Sequence, residues 1–182
     1  MSGSGKSCWV KEYIKIFQRY NPDNMIYLIS SKEEDPAYDQ LEIPISRIDI
    51  DLFMKKELDI DTVEKCLFIF DDIENFDENI LKKVTTFKKI IAETGRSRGV
   101  HVISISHLPL SGNKSSKVDC NEMNAAVVFP ASTRYHSFNL LTKYIGMSRS
   151  TADYLLKKKT RWVYVSKMVP SLYITKKRIG LI

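Results

Sequence analysis

Cysteine is scarce in this chain: Cys8, Cys66 and Cys120 lie far apart and form no C-x-x-C pair. That spacing argues against a thiolate zinc site or a disulfide framework and fits a reducing compartment. Long hydrophobic runs are missing too. Nothing approaches the ~18 consecutive apolar residues of a membrane span, and no apolar stretch follows Lys6 as a secretory leader requires. Of three histidines, His101 and His136 have no ligand spacing to another Cys or His and read as structural. Repeats and low-complexity linkers are absent. With 43% apolar residues over 182 positions, the sequence supports one domain, residues 1–182, large enough for its own core.

What is present begins at the first residue. Ser2-Gly3-Ser4-Gly5-Lys6-Ser7 matches the last six positions of the phosphate-binding loop G-x-x-x-x-G-K-[ST], whose first glycine would fall one residue before Met1. Small residues there let backbone N–H groups turn inward around phosphate oxygens, with Lys6 on the terminal phosphates and Ser7 on a metal ion. The following helix would aim its positive end at the anion. The other reading of SGSGKS is a flexible Gly/Ser-rich terminus. Such a loop normally follows a buried strand. Either Met1 is internal to a longer natural protein, the reading preferred here, or the sheet lacks that strand.

Short apolar runs alternate with helical patterns, which predicts an α/β fold with a mainly parallel sheet flanked by helices. Val10, Tyr13, Ile14 and Phe17 form one helical face, ended by Asn21-Pro22-Asp23. Residues 25–29 read as a buried strand, 30–41 as a loop, 46–53 as a short strand and 66–70 as another buried strand. Asp77 caps a helix running to about Thr94. Residues 100–106 and 125–129 complete five strands. Helical patterns follow at 138–145 and 150–158, and a C-terminal β-hairpin joins 161–167 to 172–175 through Met168-Val169-Pro170. Trp9 and Trp162 read as packing groups.

The second chemical signal is Leu67-Phe68-Ile69-Phe70-Asp71-Asp72, a buried strand carrying acids to the sheet's C-terminal edge, where α/β ligands bind. There Asp71 would hold Mg²⁺ and Asp72 would orient or deprotonate an attacking water. The alternative is an acidic turn capping the next segment. A third signal is Gly95-Arg96-Ser97-Arg98-Gly99 before the strand that ends in Ser106-His107. His107 is a candidate γ-phosphate sensor, or an ordinary strand-end hydrogen-bonding residue. Arg96 and Arg98 are candidates for a finger reaching a neighbour's site, or a charge pair at a helix C-terminus.

Charge is uneven. Between Glu33 and Asp77 acids dominate, whereas residues 131–182 hold eleven Lys and Arg against Asp153 alone. Such a basic segment suits nucleic acid phosphates, or is a solvated face.

Taken in order, these pieces resemble the FtsK/HerA superfamily of P-loop ATPases, and more narrowly the poxvirus-type genome-packaging ATPases of large double-stranded DNA viruses. The resemblance covers nearly the whole chain. Its carriers are SGSGKS, IYLISSKEEDPAYD, FIFDDIENF, GRSRGVHVISISHL, CNEMNAAVVFP and TRWVYVSKMVPSLYITKKRIGLI. It implies a RecA-like P-loop NTPase using ATP and Mg²⁺, with Asp71 on metal, Asp72 on water, Arg96 or Arg98 as the arginine, and His107 where many relatives carry Gln. It also implies a homo-oligomeric ring moving double-stranded DNA into a capsid, with capsid or portal proteins as further partners. The location implied is the host cytoplasm or the virion. Assembly or export ATPases, a small-molecule phosphotransferase and a non-catalytic DNA-binding relative are the other classes.

Overall fold

A computed structural model describes residues 5–56, 60–106, 120–131 and 134–182. They divide into two compact units, residues 5–106 and residues 120–182.

In the first unit the strands are β1 (Met25–Ser30), β2 (Ser46–Arg47), β3 (Cys66–Asp71) and β4 (Val100–Ser104). They form a parallel sheet in the order β2-β1-β3-β4. Both faces are covered, which is why β3 is a continuous apolar run, every residue of it buried. Alternation along the strands sorts the core. Leu67 and Ile69 of β3, with Ile26 and Leu28 of β1, pack on Val10, Ile14 and Phe17 of α1 (Lys6–Tyr20). Cys66, Phe68 and Phe70 point the other way, onto Val84, Phe87 and Ile91 of α4 (Glu78–Thr94). Phe68 meets Phe87 edge-on at 5.3 Å and stacks on Tyr27 at 5.0 Å. Each fully buried Leu, Ile or Phe contributes about 1.5–3 kcal/mol, so this layer holds the strand ends in place. Cys66 behaves as another apolar group, burial pushing its thiol up to about 11.

Asp77 caps α4 as its sequence predicts, Oδ1 accepting from the N–H groups of Asn79 and Ile80. Two expectations are corrected here. Residues 46–53 are not one strand: pairing stops after Arg47, and Asp49 caps a helix, α3 (Ile50–Lys55), through Leu52 N. The Ile48/Ile50 alternation belongs to a strand-to-helix turn whose two isoleucines pack against the same cluster. The loop at 30–41 also holds one helical turn, α2 (Pro36–Asp39), started by Asp35 as N-cap with Pro36 first inside.

The second unit contains β5 (Ala125–Val128), α5 (Arg134–Lys143), α6 (Arg149–Lys157), β6 (Val163–Ser166), β7 (Leu172–Ile174) and β8 (Ile179–Leu181). Its sheet is antiparallel in the order β5-β6-β7-β8. The expected C-terminal hairpin is therefore present as β6 and β7, with a further strand on each side. The strand at 125–128 pairs antiparallel with β6 rather than joining the parallel sheet. Ala126, Val128, Val163 and Val165 turn inward onto Leu140, Leu141, Ala152, Leu155 and Leu156. Ser148 caps α6 through Thr151 N. Gly180 lies over Tyr173, where a Cβ would come within 2.5 Å of the ring.

Candidate functional site

Gly5 stands at the N-cap of α1 with φ 88°, a left-handed conformation that glycine adopts without strain. Its carbonyl accepts from Trp9 N at 2.9 Å, and Lys6 and Ser7 become the first two helical residues. The first turn carries no acidic side chain, so no carboxylate of its own offsets the positive helix end. Across the sheet, Asp71 closes β3 level with Ser30 of β1. Ser7 Oγ donates to Asp71 Oδ2 at 3.2 Å. The start of α1 and the acidic strand end, 64 positions apart, therefore meet at the C-terminal edge of the parallel sheet.

Both acids are buried, Asp71 at 3% exposure and Asp72 at 6%. Burial raises Asp71 above the ordinary carboxylate range, aided by the charge of Asp72 and opposed by the hydrogen bonds from Tyr38 and Ser7. Asp72 sits at φ 52°, and its backbone carbonyl accepts from Ser31 Oγ at 2.7 Å. Its carboxylate pairs with the Lys32 ammonium, and that hydrogen bond raises the lysine. Lys6 is lowered by burial and partly restored by Asp71, Asp72 and Glu74, which places it in the same field. Magnesium prefers hard oxygen donors and commonly shares them with phosphate. Ser7 Oγ and the Asp71 carboxylate supply such oxygens. Ser7 also lies within hydrogen-bonding reach of Tyr38, and the hydroxyl and carboxylate oxygens together make a donor set that fits a divalent cation held jointly with a phosphate.

Other sequence-predicted residues lie elsewhere. Arg96 and Arg98 belong to a 3₁₀ turn, Gly95–Arg98, leading into β4. Since Val100 pairs with Cys66, they sit at the opposite sheet edge, roughly 17–20 Å from Asp71 at about 3.3 Å per strand residue. Arg98 donates to Asp61 at 3.1 Å and Thr94 at 3.2 Å, as a helix-end charge does. Arg96 is exposed. Ser2, Gly3, Ser4 and His107 lie outside the described residues. Trp9 stacks on Tyr13 at 5.6 Å beside the α1 core, and His101 meets Phe17 edge-on.

Sequence reasoning missed Tyr38 and Lys32, which contact the two acids. The Asp35-Pro36 pair signals a helix start, but no local pattern records a contact across 33 positions.

In the second unit the basic clusters 157–159 and 176–178 converge. Lys158 Nζ lies 4.0 Å above the Tyr154 ring and 5.4 Å from the Tyr173 ring. The Tyr154 hydroxyl is lowered by its hydrogen bond from Lys158 and also feels Arg178.

The fold and site define a mixed α/β protein with an acid pair at the C-terminal edge of a parallel sheet, facing a helix start. The chain is 32% identical over 176 residues to "Uncharacterized protein V3" of Sputnik virophage, spanning 93% of this chain and 69% of V3. It belongs to the family of that virophage protein. No protein-family model matches it. No solved structure matches it. Among the described residues no helix is long and apolar enough to cross a membrane.

Proposed function

We propose that this protein is the ATP-hydrolysing domain of a viral genome-packaging motor of the FtsK/HerA type, a RecA-like P-loop NTPase. The observation that carries the reading is the 3.2 Å contact between Ser7 Oγ and Asp71 Oδ2, which unites the two motifs such chemistry needs. Lys6 and the backbone of residues 2–7 bind the phosphates of ATP. Ser7 and Asp71 hold Mg²⁺, which when bound neutralises charge on the transferred phosphoryl group. Asp72 accepts the proton of the attacking water, so its pairing with Lys32 must open before turnover. His107 serves as the γ-phosphate sensor. Arg96 or Arg98, at the far sheet edge, serves a neighbouring subunit in a homo-oligomeric ring. Double-stranded DNA runs along the basic second unit, toward capsid or portal proteins, in the host cytoplasm or the virion. The virophage relative supports the viral setting.

The test is Mg²⁺-dependent ATP hydrolysis by the full-length protein, with and without duplex DNA. Wild type turns over and is stimulated by DNA. Lys6→Ala loses nucleotide binding. Asp72→Asn binds ATP but slows turnover by roughly 10²–10⁴-fold. A wild type that binds no nucleotide refutes the reading. Phosphate delivered to a small acceptor rather than to water moves it to the phosphotransferases.

A further inference from the structure

The Asp71 carboxylate has a second partner besides Ser7. Tyr38 Oη donates to the same oxygen, Oδ2, at 2.7 Å, shorter than the serine bond. That length is ordinary for a well-formed O–H···O hydrogen bond. Tyr38 is 3% exposed, and its ring packs in the cluster that includes Ile14 and Leu28. The ring is thus a core group, while the hydroxyl spends its one proton on Asp71.

The turn presenting Tyr38 is short and held from outside. A four-residue helix has little stability of its own. Asp35 accepts from Ala37 N at 2.9 Å, and Asp39 Oδ2 accepts from Asp35 N at 2.6 Å. Arg47, at the end of β2, donates to Asp39 Oδ1 at 3.1 Å and to the Lys32 carbonyl at 2.7 Å. One stretch after β1 therefore touches both acids, Lys32 on Asp72 and Tyr38 on Asp71.

We infer that Tyr38 is a positioning residue that fixes the Asp71 carboxylate for a divalent cation bound with nucleotide; the inference rests on the nucleotide reading above. Both hydroxyls donate to Oδ2 and neither to Oδ1. Without Tyr38, Ser7 is the hydroxyl donor left to the group among the described residues, and the carboxylate gains rotational freedom that cation binding must remove. Losing an outer partner of a metal ligand typically costs 10–100-fold in metal affinity.

The experiment measures ADP affinity of the full-length protein in excess Mg²⁺ and in EDTA. Tyr38→Phe keeps the ring and deletes the hydroxyl. Its affinity in EDTA stays within about twofold of wild type, while the gain on adding Mg²⁺ shrinks by about tenfold. Packing alone predicts no change in that gain. If Tyr38→Phe fails to fold, Arg47→Ala loosens the same turn from outside and reads the same quantity, with a smaller decrease expected. Wild-type binding that Mg²⁺ strengthens, equally strengthened in these variants, overturns the role of Tyr38 alone. A wild type that binds no ADP overturns this role together with the nucleotide reading.

Discussion

The two units solve opposite electrostatic problems. Residues 5–106 contain fifteen Lys and Arg against nineteen Asp and Glu, whereas residues 120–182 contain eleven against two. The acidic unit takes charge inside: Asp71, Asp72 and Lys88 are all buried. In the basic unit the buried polar residues are neutral, Ser137, Ser166 and Thr175, and its cations stay outside. Sheet type matches this division. A parallel sheet covered on both faces creates a low-dielectric edge where a few charges act strongly. The small antiparallel sheet of the second unit packs an apolar face on its two helices. Charge thus acts in the first unit through burial and in the second through number.

The largest effect that sharpens this contrast concerns duplex DNA. Replacing Lys157, Lys158, Lys159, Lys176, Lys177 and Arg178 with Gln is expected to weaken duplex binding by roughly 10–10³-fold at moderate salt and to flatten the salt dependence. The same change at Lys11, Lys15 and Arg19 of α1 leaves both unaltered. Salt titrations on random-sequence duplexes measure this. Equal losses from both sets would abolish the distinction between the units.

A smaller effect concerns the buried acid. Burial lifts the folded-state value of Asp71 above its unfolded value. Its contribution to stability is therefore fully present below the unfolded value and is lost as pH rises through the folded one. Ionising the buried carboxylate costs stability, and Asn removes that cost. Asp71→Asn should melt a few degrees higher, about 2–4 °C per kcal/mol for a chain of this size. The gain should grow from pH 3, below the unfolded value, to pH 8, while Mg²⁺-linked nucleotide binding is lost. Calorimetry showing the same gain at both pH values would remove the buried charge as its cause.

The smallest effect lies at the far edge of the parallel sheet. Arg98 pairs with Asp61, which is 93% exposed, and such exposed pairs contribute about 0–1 kcal/mol. Arg98→Ala should lower stability within that range and Arg96→Ala less. If either arginine serves a neighbour, subunits carrying it as Ala regain hydrolysis when mixed with Lys6→Ala subunits. Verified mixed assemblies without that gain leave both arginines as helix-end charges.

Much of the first unit was legible because its signals are local. An unbroken apolar run ending in two acids describes β3 completely, since both its faces are covered. Asp77 and the 3.6-residue spacing of Ile80, Val84, Phe87 and Ile91 describe α4. Legibility failed where two local codes overlap: Ile48 and Ile50 alternate like a strand while Asp49 between them caps a helix. It failed again where pairing is remote. Nothing within residues 125–128 states that their neighbour is 163–166 rather than 100–104. The site divides the same way. Lys6, Ser7, Asp71 and Asp72 stand in recognisable strings, but Tyr38 and Lys32 act through contacts made only by the folded sheet.

The backbone at Asp72 limits which residues evolution can place there. At φ 52°, side chains branching at Cγ into a short polar head, Asp and Asn, are tolerated, because they hydrogen-bond locally and crowd little. Glu has the same charge but lacks that tolerance, and the left-handed conformation costs an ordinary L-residue about 1–2 kcal/mol. Asp72 is thus a choice made by the main chain before chemistry is consulted. A lineage could move that carboxylate one methylene outward by bearing this strain or by rebuilding the turn that follows β3.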